Sequence, residues 1–137
     1  MKEISEELKL KIWKQAREVD GYDKDQVRKD ACGAFMIYDK YAITDDIYGW
    51  QIDHICPRAI LEELGYNEDE IDNIVNLRAM NWRNNNSKSD DYPSYTSVIT
   101  SEGNTNVERE EYRIVNKSLQ EKLEQLYPNL KNRKNAV

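Results

Sequence analysis

A chain of 137 residues with 39% hydrophobic side chains, 5 Gly and 3 Pro holds apolar material for one modest core, and it excludes collagen-like and mucin-like chains. Lys and Arg number 20 against 26 Asp and Glu, a net charge of −6 with a single histidine. That balance argues at first against a nucleic-acid partner, whose binding surfaces are normally basic. No apolar run approaches the roughly 20 residues needed to cross a bilayer. The opening Lys2-Glu3-Ile4-Ser5-Glu6-Glu7 is no secretory leader. These features predict a cytoplasmic protein with no membrane partner, organised as one domain over 1–137.

In chain order, Ser5 with Glu6 and Glu7 reads as a capped helix start, and Ile4, Leu8, Ile12, Trp13, Ala16 and Val19 recur at helical spacing, predicting a helix over 5–19. Asp20-Gly21 ends it, and Asp25 to Arg28 suggests a further helical turn. Two aromatic and β-branched runs, 34–38 and 48–52, flank the polar Thr44-Asp45-Asp46 and predict a hairpin. Short helices follow at 60–64, stopped by Gly65, at 67–71 and at 81–88, the last ended by Ser89 to Pro93. Residues 95–100 predict a strand, and Tyr112, Val115, Leu119, Leu123 and Leu126 predict a helix over 108–126. The basic tail from Lys131 is expected to fray. The class is α+β.

The acidity is local. Residues 39–75 carry two cations against ten carboxylates, a net of −8, whereas 1–38 is neutral. Inside that acidic stretch lies Trp50-Gln51-Ile52-Asp53-His54-Ile55-Cys56-Pro57-Arg58, followed by Asp72-Asn73-Ile74-Val75-Asn76-Leu77-Arg78 and by Asn81 to Asp90. An Asp beside a His at the end of a strand offers a hard oxygen ligand and an imidazole. Strand alternation sends the two to opposite faces, so one site would need a kink or bulge after Ile52. Asn76 and Asn85 offer amide oxygens for a hard cation or for fixing an imidazole tautomer.

The Asp53-His54 pair, the Asn76-Leu77-Arg78 element and the Asn84-Asn85-Asn86-Ser87-Lys88 element, in that order, resemble the HNH endonucleases of the ββα-metal superfamily. They are most similar to the variant with Asn in the last motif position, as in the RNA-guided CRISPR nucleases and phage junction resolvases. Gly49 to Pro57 looks like that motif's first strand and exit, and Arg28 to Gly33 resembles the leading segment of bacterial members, so the likeness covers about 28–93. The resemblance implies a ββα-metal centre with a β-hairpin and short helix, scaffolded by longer helices at 5–19 and 108–126.

It further implies that Asp53 and Asn85 bind one Mg²⁺ or Mn²⁺, that His54 is the general base, and that Asn76 orients or polarises it. From the residues themselves, Lys88 stands three after Asn85 on a helical turn that would face the same phosphate, and Arg58, Arg78 and Arg83 are surface candidates for phosphate contact or else ordinary solvated arginines. Asn85 in place of the His of many members favours a hard cation over Ni²⁺ or Zn²⁺. The unpaired Cys32 and Cys56, 24 residues apart, exclude a four-thiolate structural zinc. The implied activity is hydrolysis of DNA phosphodiesters. A non-catalytic HNH-fold module binding nucleic acid or protein, or an RNA-directed nuclease, are the other readings. The sequence leaves a protein partner or a homo-oligomer open.

Overall fold

Residues 3–134 are described here from a computed structural model. The Ser5 hydroxyl accepts from Leu8 N–H and starts helix α1 (Glu6–Trp13). The helix is shorter than its apolar spacing predicts. Gln15 and Ala16 donate three residues back, to Ile12 and Trp13, and the chain then extends into strand β1 (Arg17–Glu18). β1 pairs antiparallel with β2 (Val27–Lys29), and β2 with β3 (Phe35–Ile37). Sheet pairing thus takes Arg17, Glu18, Val27 and Arg28 from the predicted helix and helical turn, while one turn, closed by the Gln26 and Val27 N–H groups on the Asp23 carbonyl, remains just ahead of β2.

The predicted hairpin across 34–52 is corrected. Its second run forms β4 (Trp50–His54), which pairs not with β3 but with β5 (Leu77–Asn81), 23 residues further on, in the register Trp50↔Asn81, Asp53↔Arg78 and His54↔Leu77. Gly49 sets up this strand by close approach: a Cβ there would lie 1.9 Å from the Ile43 carbonyl oxygen. Between the strands run α2 (Arg58–Glu63), ended at Gly65 with φ +94, and α3 (Glu68–Ile71), which Asn67 and Glu70 open with a capping box. Helix α4 (Trp82–Lys88) follows β5 directly, with the Asn81 side chain capping Arg83 and Asn84.

Strands β6 (Ser94–Glu102) and β7 (Thr105–Ile114) form a hairpin turned at Gly103, and α5 (Lys117–Leu126) and α6 (Asn129–Lys134) close the described chain. The helix expected over 108–126 is therefore corrected: its first seven residues are strand, because Glu108, Glu111, Tyr112 and Arg113 pair across to Ile99, Ser97, Thr96 and Tyr95. The expected frayed tail is helical through Lys134, and its last three residues lie outside the described ones.

Apolar side chains gather in two clusters rather than one, on the two faces of the β4–β5 ladder. Trp50, Leu77 and Ala79 join Ile12, Trp13 and Met36, with the Trp13 and Trp50 rings 5.1 Å apart. Met80 joins Ile55, Leu61, Ile71, Tyr95 and Leu123. Helix α4 packs chiefly on β6. There Asn84, fully buried, accepts the backbone N–H groups of Val98 and Ile99 at 2.9 and 2.8 Å and donates to the Ile99 carbonyl and to Asp30. Those N–H groups lie where β6 shifts register against β7, so the amide supplies partners the bulged ladder lacks. Among the described residues no helix is long and apolar enough to cross a membrane.

Candidate functional site

Asp53, His54, Arg58 and Asn85, singled out in the sequence, meet where β4 ends. β4 is regular to His54, so alternation holds and no bulge follows Ile52. Gln51 and Asp53 face α4: the Gln51 side-chain oxygen accepts from Asn85 Nδ2 at 2.9 Å, and Asp53 Oδ1 accepts from Lys88 Nζ at 3.2 Å. His54 points the other way and binds Asp72, Nε2 to Oδ1, at 2.7 Å. Asp53, His54, Arg58, Asn85 and Asp90 nevertheless line one recess of about 160 Å³ at the strand's end.

The His54–Asp72 contact fixes a tautomer. A carboxylate oxygen can only accept, so Nε2 carries a hydrogen, and in the neutral ring the lone pair is on Nδ1. Both side chains are about 15% exposed, partly shielded yet open to solvent. In the sequence Asp72 stands in the acidic stretch and at the head of the Asn76 segment, with no role assigned to it. Its one signal was its place between the two strands, 18 residues after the sole histidine, and only the fold of that segment brings the pair together.

Asn76 does not orient His54 directly. Fully buried, its amide donates to the Cys56 and Ile71 carbonyls at 3.1 and 3.2 Å, and its oxygen accepts Cys56 N–H at 2.8 Å. Both amide hydrogens are thereby engaged. The side chain clips together the neck of the segment between β4 and β5, and so holds Asp72 within reach of His54.

Asp53 is 4% exposed and held between two cations. Its cross-strand partner Arg78 donates from Nε to Oδ2 at 3.0 Å, and Lys88 Nζ, itself with no exposed surface, donates to Oδ1 and to the His54 carbonyl at 3.0 Å. Burial lowers the pKa of Lys88 below the usual lysine value; Asp53 opposes that shift and Arg78 adds to it. Lys88 therefore braces Asp53 from inside rather than facing a substrate. Arg58 is at the rim of the recess, paired with Glu62 at 2.8 Å. Arg83 is elsewhere: it pairs with Glu108 at 2.6 Å and lines a different recess with Val98 and Arg109. Cys32 and Cys56 are both buried free thiols.

Among the described residues no three of His, Cys, Asp and Glu gather tightly enough to hold a metal by themselves. The donor types present still suit a hard cation. Asp53 keeps spare lone pairs beyond its two bonds, the Asn85 amide oxygen is left free by the bond its nitrogen makes, and Asp90 adds a solvent-exposed carboxylate. The local charge opposes it, because Asp53 already serves Arg78 and Lys88. An ion there would lean on water and on anionic substrate oxygens. Set against known proteins, the chain matches no family model, no curated protein and no solved structure.

Proposed function

We propose that the protein is a phosphodiester hydrolase of the HNH type, acting on DNA, with His54 as its general base. The observation that carries this reading is the His54–Asp72 pair: a single histidine, held in one tautomer by a carboxylate at 2.7 Å, in a recess shared with Asp53 and Asn85. The order of elements supports it. Two antiparallel strands joined by a long segment, then a helix running straight off the second, place Asp53 and His54 on the first strand and Asn85 on the helix. That is the arrangement expected of a ββα-metal centre.

Nδ1 of His54 accepts the proton of the attacking water, and Asp72 stabilises the imidazolium that results. Asp53 and Asn85 would hold the Mg²⁺ or Mn²⁺, which when bound offsets charge developing on the phosphoryl group. Arg58 stands at the rim, where it can reach a neighbouring phosphate. Asn76 acts through the backbone, fixing the segment that carries Asp72.

The test is cleavage of a supercoiled plasmid by the full chain with Mg²⁺ or Mn²⁺, beside His54→Ala. Nicking by the wild type and none by the variant is the expected result; equal nicking by both overturns the mechanism. One observation favours a second reading, a non-catalytic binding module: Asp53 is already neutralised by Lys88 and Arg78. Duplex binding by both proteins, with no cleavage under either metal, is the outcome that reading requires.

A further inference from the structure

A second concave region lies beyond the Asp53–Arg78 pair. Two recesses of about 250 and 230 Å³ share Arg17, Ala31 and Arg78 in their walls and so join into one groove. Lys29 lines the first and Arg113 the second. On a chain of net charge −6 this groove gathers four cations. Its one carboxylate, Asp30, is turned inward: Oδ1 accepts the N–H groups of Cys32 and Ala34, and Oδ2 those of Asn81 and the Asn84 side chain. Its oxygens are taken up by these four N–H groups, and the residue is only 2% exposed.

Two features set this groove apart from an ordinary solvated surface. Arg17 and Lys29 sit directly opposite each other across β1 and β2, a like-charge placement that weakens a ladder. Lys29 leans toward the Phe35 ring, 4.6 Å from its centroid, while Arg17 has no ion-pair partner among the described residues. Further in, Arg78 spends Nε on Asp53, but its Nη2 is buried with no hydrogen-bond partner, and its guanidinium stands 5.6 Å from the Tyr95 ring centroid. A buried donor without an acceptor is disfavoured, and an arginine fork is shaped for an oxyanion. Arg113 is already braced at the groove wall by Ser97 Oγ, the Cys32 carbonyl and Glu111.

We propose that this groove is an anion site that takes a backbone phosphate of nucleic acid, with Arg17 and Lys29 at its mouth and Arg78 and Arg113 in its wall. The inference rests on the hydrolase reading for its choice of polymer, since Arg78 joins the groove to the His54 recess through Asp53. An oxyanion there separates the opposed charges of Arg17 and Lys29 and adds negative charge beside Arg78, whose one carboxylate, Asp53, is shared with Lys88. It also gives an acidic chain a place to meet a polyanion, because Arg17 and Lys29 at the mouth form no ion pair among the described residues, while the carboxylates nearby, Asp53 and Glu111, are spent on Arg78 and Arg113.

The experiment is binding of a short fluorescein-labelled duplex to the full chain by anisotropy, in EDTA so that no cleavage occurs, over a series of salt concentrations. The double variant Arg17→Gln/Lys29→Gln changes two side chains outside both apolar clusters, and its thermal melt reports that it folds. The expected result is binding weakened by about tenfold or more near 0.1 M salt, with the slope of log K against log salt reduced by about two, one for each cation removed. Wild-type affinity and slope in the double variant overturn the proposal. Inorganic phosphate is the second probe: a phosphate-induced rise in melting temperature that the double variant loses, with no duplex binding by the wild type, assigns the groove to small phosphates and overturns the nucleic-acid assignment. The two readings fail separately. Groove-dependent binding without metal-dependent cleavage upholds the groove and sinks the hydrolase, whereas cleavage lost in His54→Ala, with duplex binding unchanged in the double variant, does the reverse.

Discussion

Replacing Asp53 with Asn keeps the shape of the side chain and removes its charge, leaving Arg78 and Lys88 as two buried cations with no counter-ion. Both bonds to the carboxylate, 3.0 Å from Arg78 Nε and 3.2 Å from Lys88 Nζ, lose their ionic character. Breaking a buried pair in this way typically costs about 3–5 kcal/mol, a large share of the roughly 5–15 kcal/mol that holds a domain folded. With an m-value of about 1.5 kcal/mol per M in urea, the unfolding midpoint falls by roughly 2–3 M. Lys88→Met is the milder change. It removes the ammonium whose burial is costly and leaves Asp53 and Arg78 paired one to one, so its cost is about 1 kcal/mol. Urea unfolding followed by circular dichroism measures both, and the reasoning is refuted if Asp53→Asn costs no more than Lys88→Met. The pH dependence adds a sign. Because burial lowers the pKa of Lys88 below 10.5, the folded chain releases that proton before the unfolded chain does. The stability of wild type over Lys88→Met therefore grows as pH rises toward 10.5.

Three further expectations follow from the same geometry. Asp72→Ala frees the His54 ring: ¹⁵N spectra of this sole histidine report Nε2–H in the wild type and a mixture in the variant, and cleavage slows by about 10- to 100-fold, while an unchanged tautomer refutes the role given to Asp72. Burial pushes the Cys32 and Cys56 thiols up to about 11 and about 12 from an ordinary 9.0, so the stability they contribute is complete below pH 9.0 and is lost as pH climbs through those values. Unfolding measured on both sides of pH 9.0 shows that loss, and Cys56→Ala makes it smaller. Asn76→Ala leaves the buried Cys56 N–H and carbonyl without the partners Asn76 gives them and the Ile71 carbonyl with only the Tyr127 hydroxyl at 3.4 Å, costs about 2–4 kcal/mol, and speeds hydrogen exchange at the Cys56 amide.

Much of the fold is legible where a local signal decides it. Ser5, Gly65 and Asn67 mark element ends that the structure keeps, because a cap or a left-handed turn depends on the residue that makes it. The stretch 108–114 is misread as helix because Tyr112, Val115 and Leu119 suit that period. What decides it is β6, whose backbone pairs with Glu108 to Ile114 from a dozen residues upstream. The hairpin at 34–52 is misread for the same reason: the partner of β4 lies beyond two helices, and loop length conceals it. At the site, order in the sequence identifies Asp53, His54 and Asn85 as neighbours but cannot say what faces each. The register Asp53↔Arg78 turns an arginine that reads as a surface residue into the buried partner of a carboxylate. Likewise, the fold of the inserted segment gives His54 Asp72, not Asn76, as its partner.

The amide of Asn84 has a consequence for where this domain can be cut. Helix α4 is seven residues long and holds Asn84, Asn85, Asn86 and Ser87, poor helix formers that sustain no helix by themselves. It keeps its pose because Asn84 is fastened to the irregular stretch of β6 and to Asp30. The residues that resemble a nuclease motif all lie before residue 93, yet the strand that steadies the helix bearing Asn85 lies after it. A fragment ending at Pro93 would carry every motif residue and no autonomous site, so the smallest unit able to do the proposed chemistry extends through the β6–β7 hairpin.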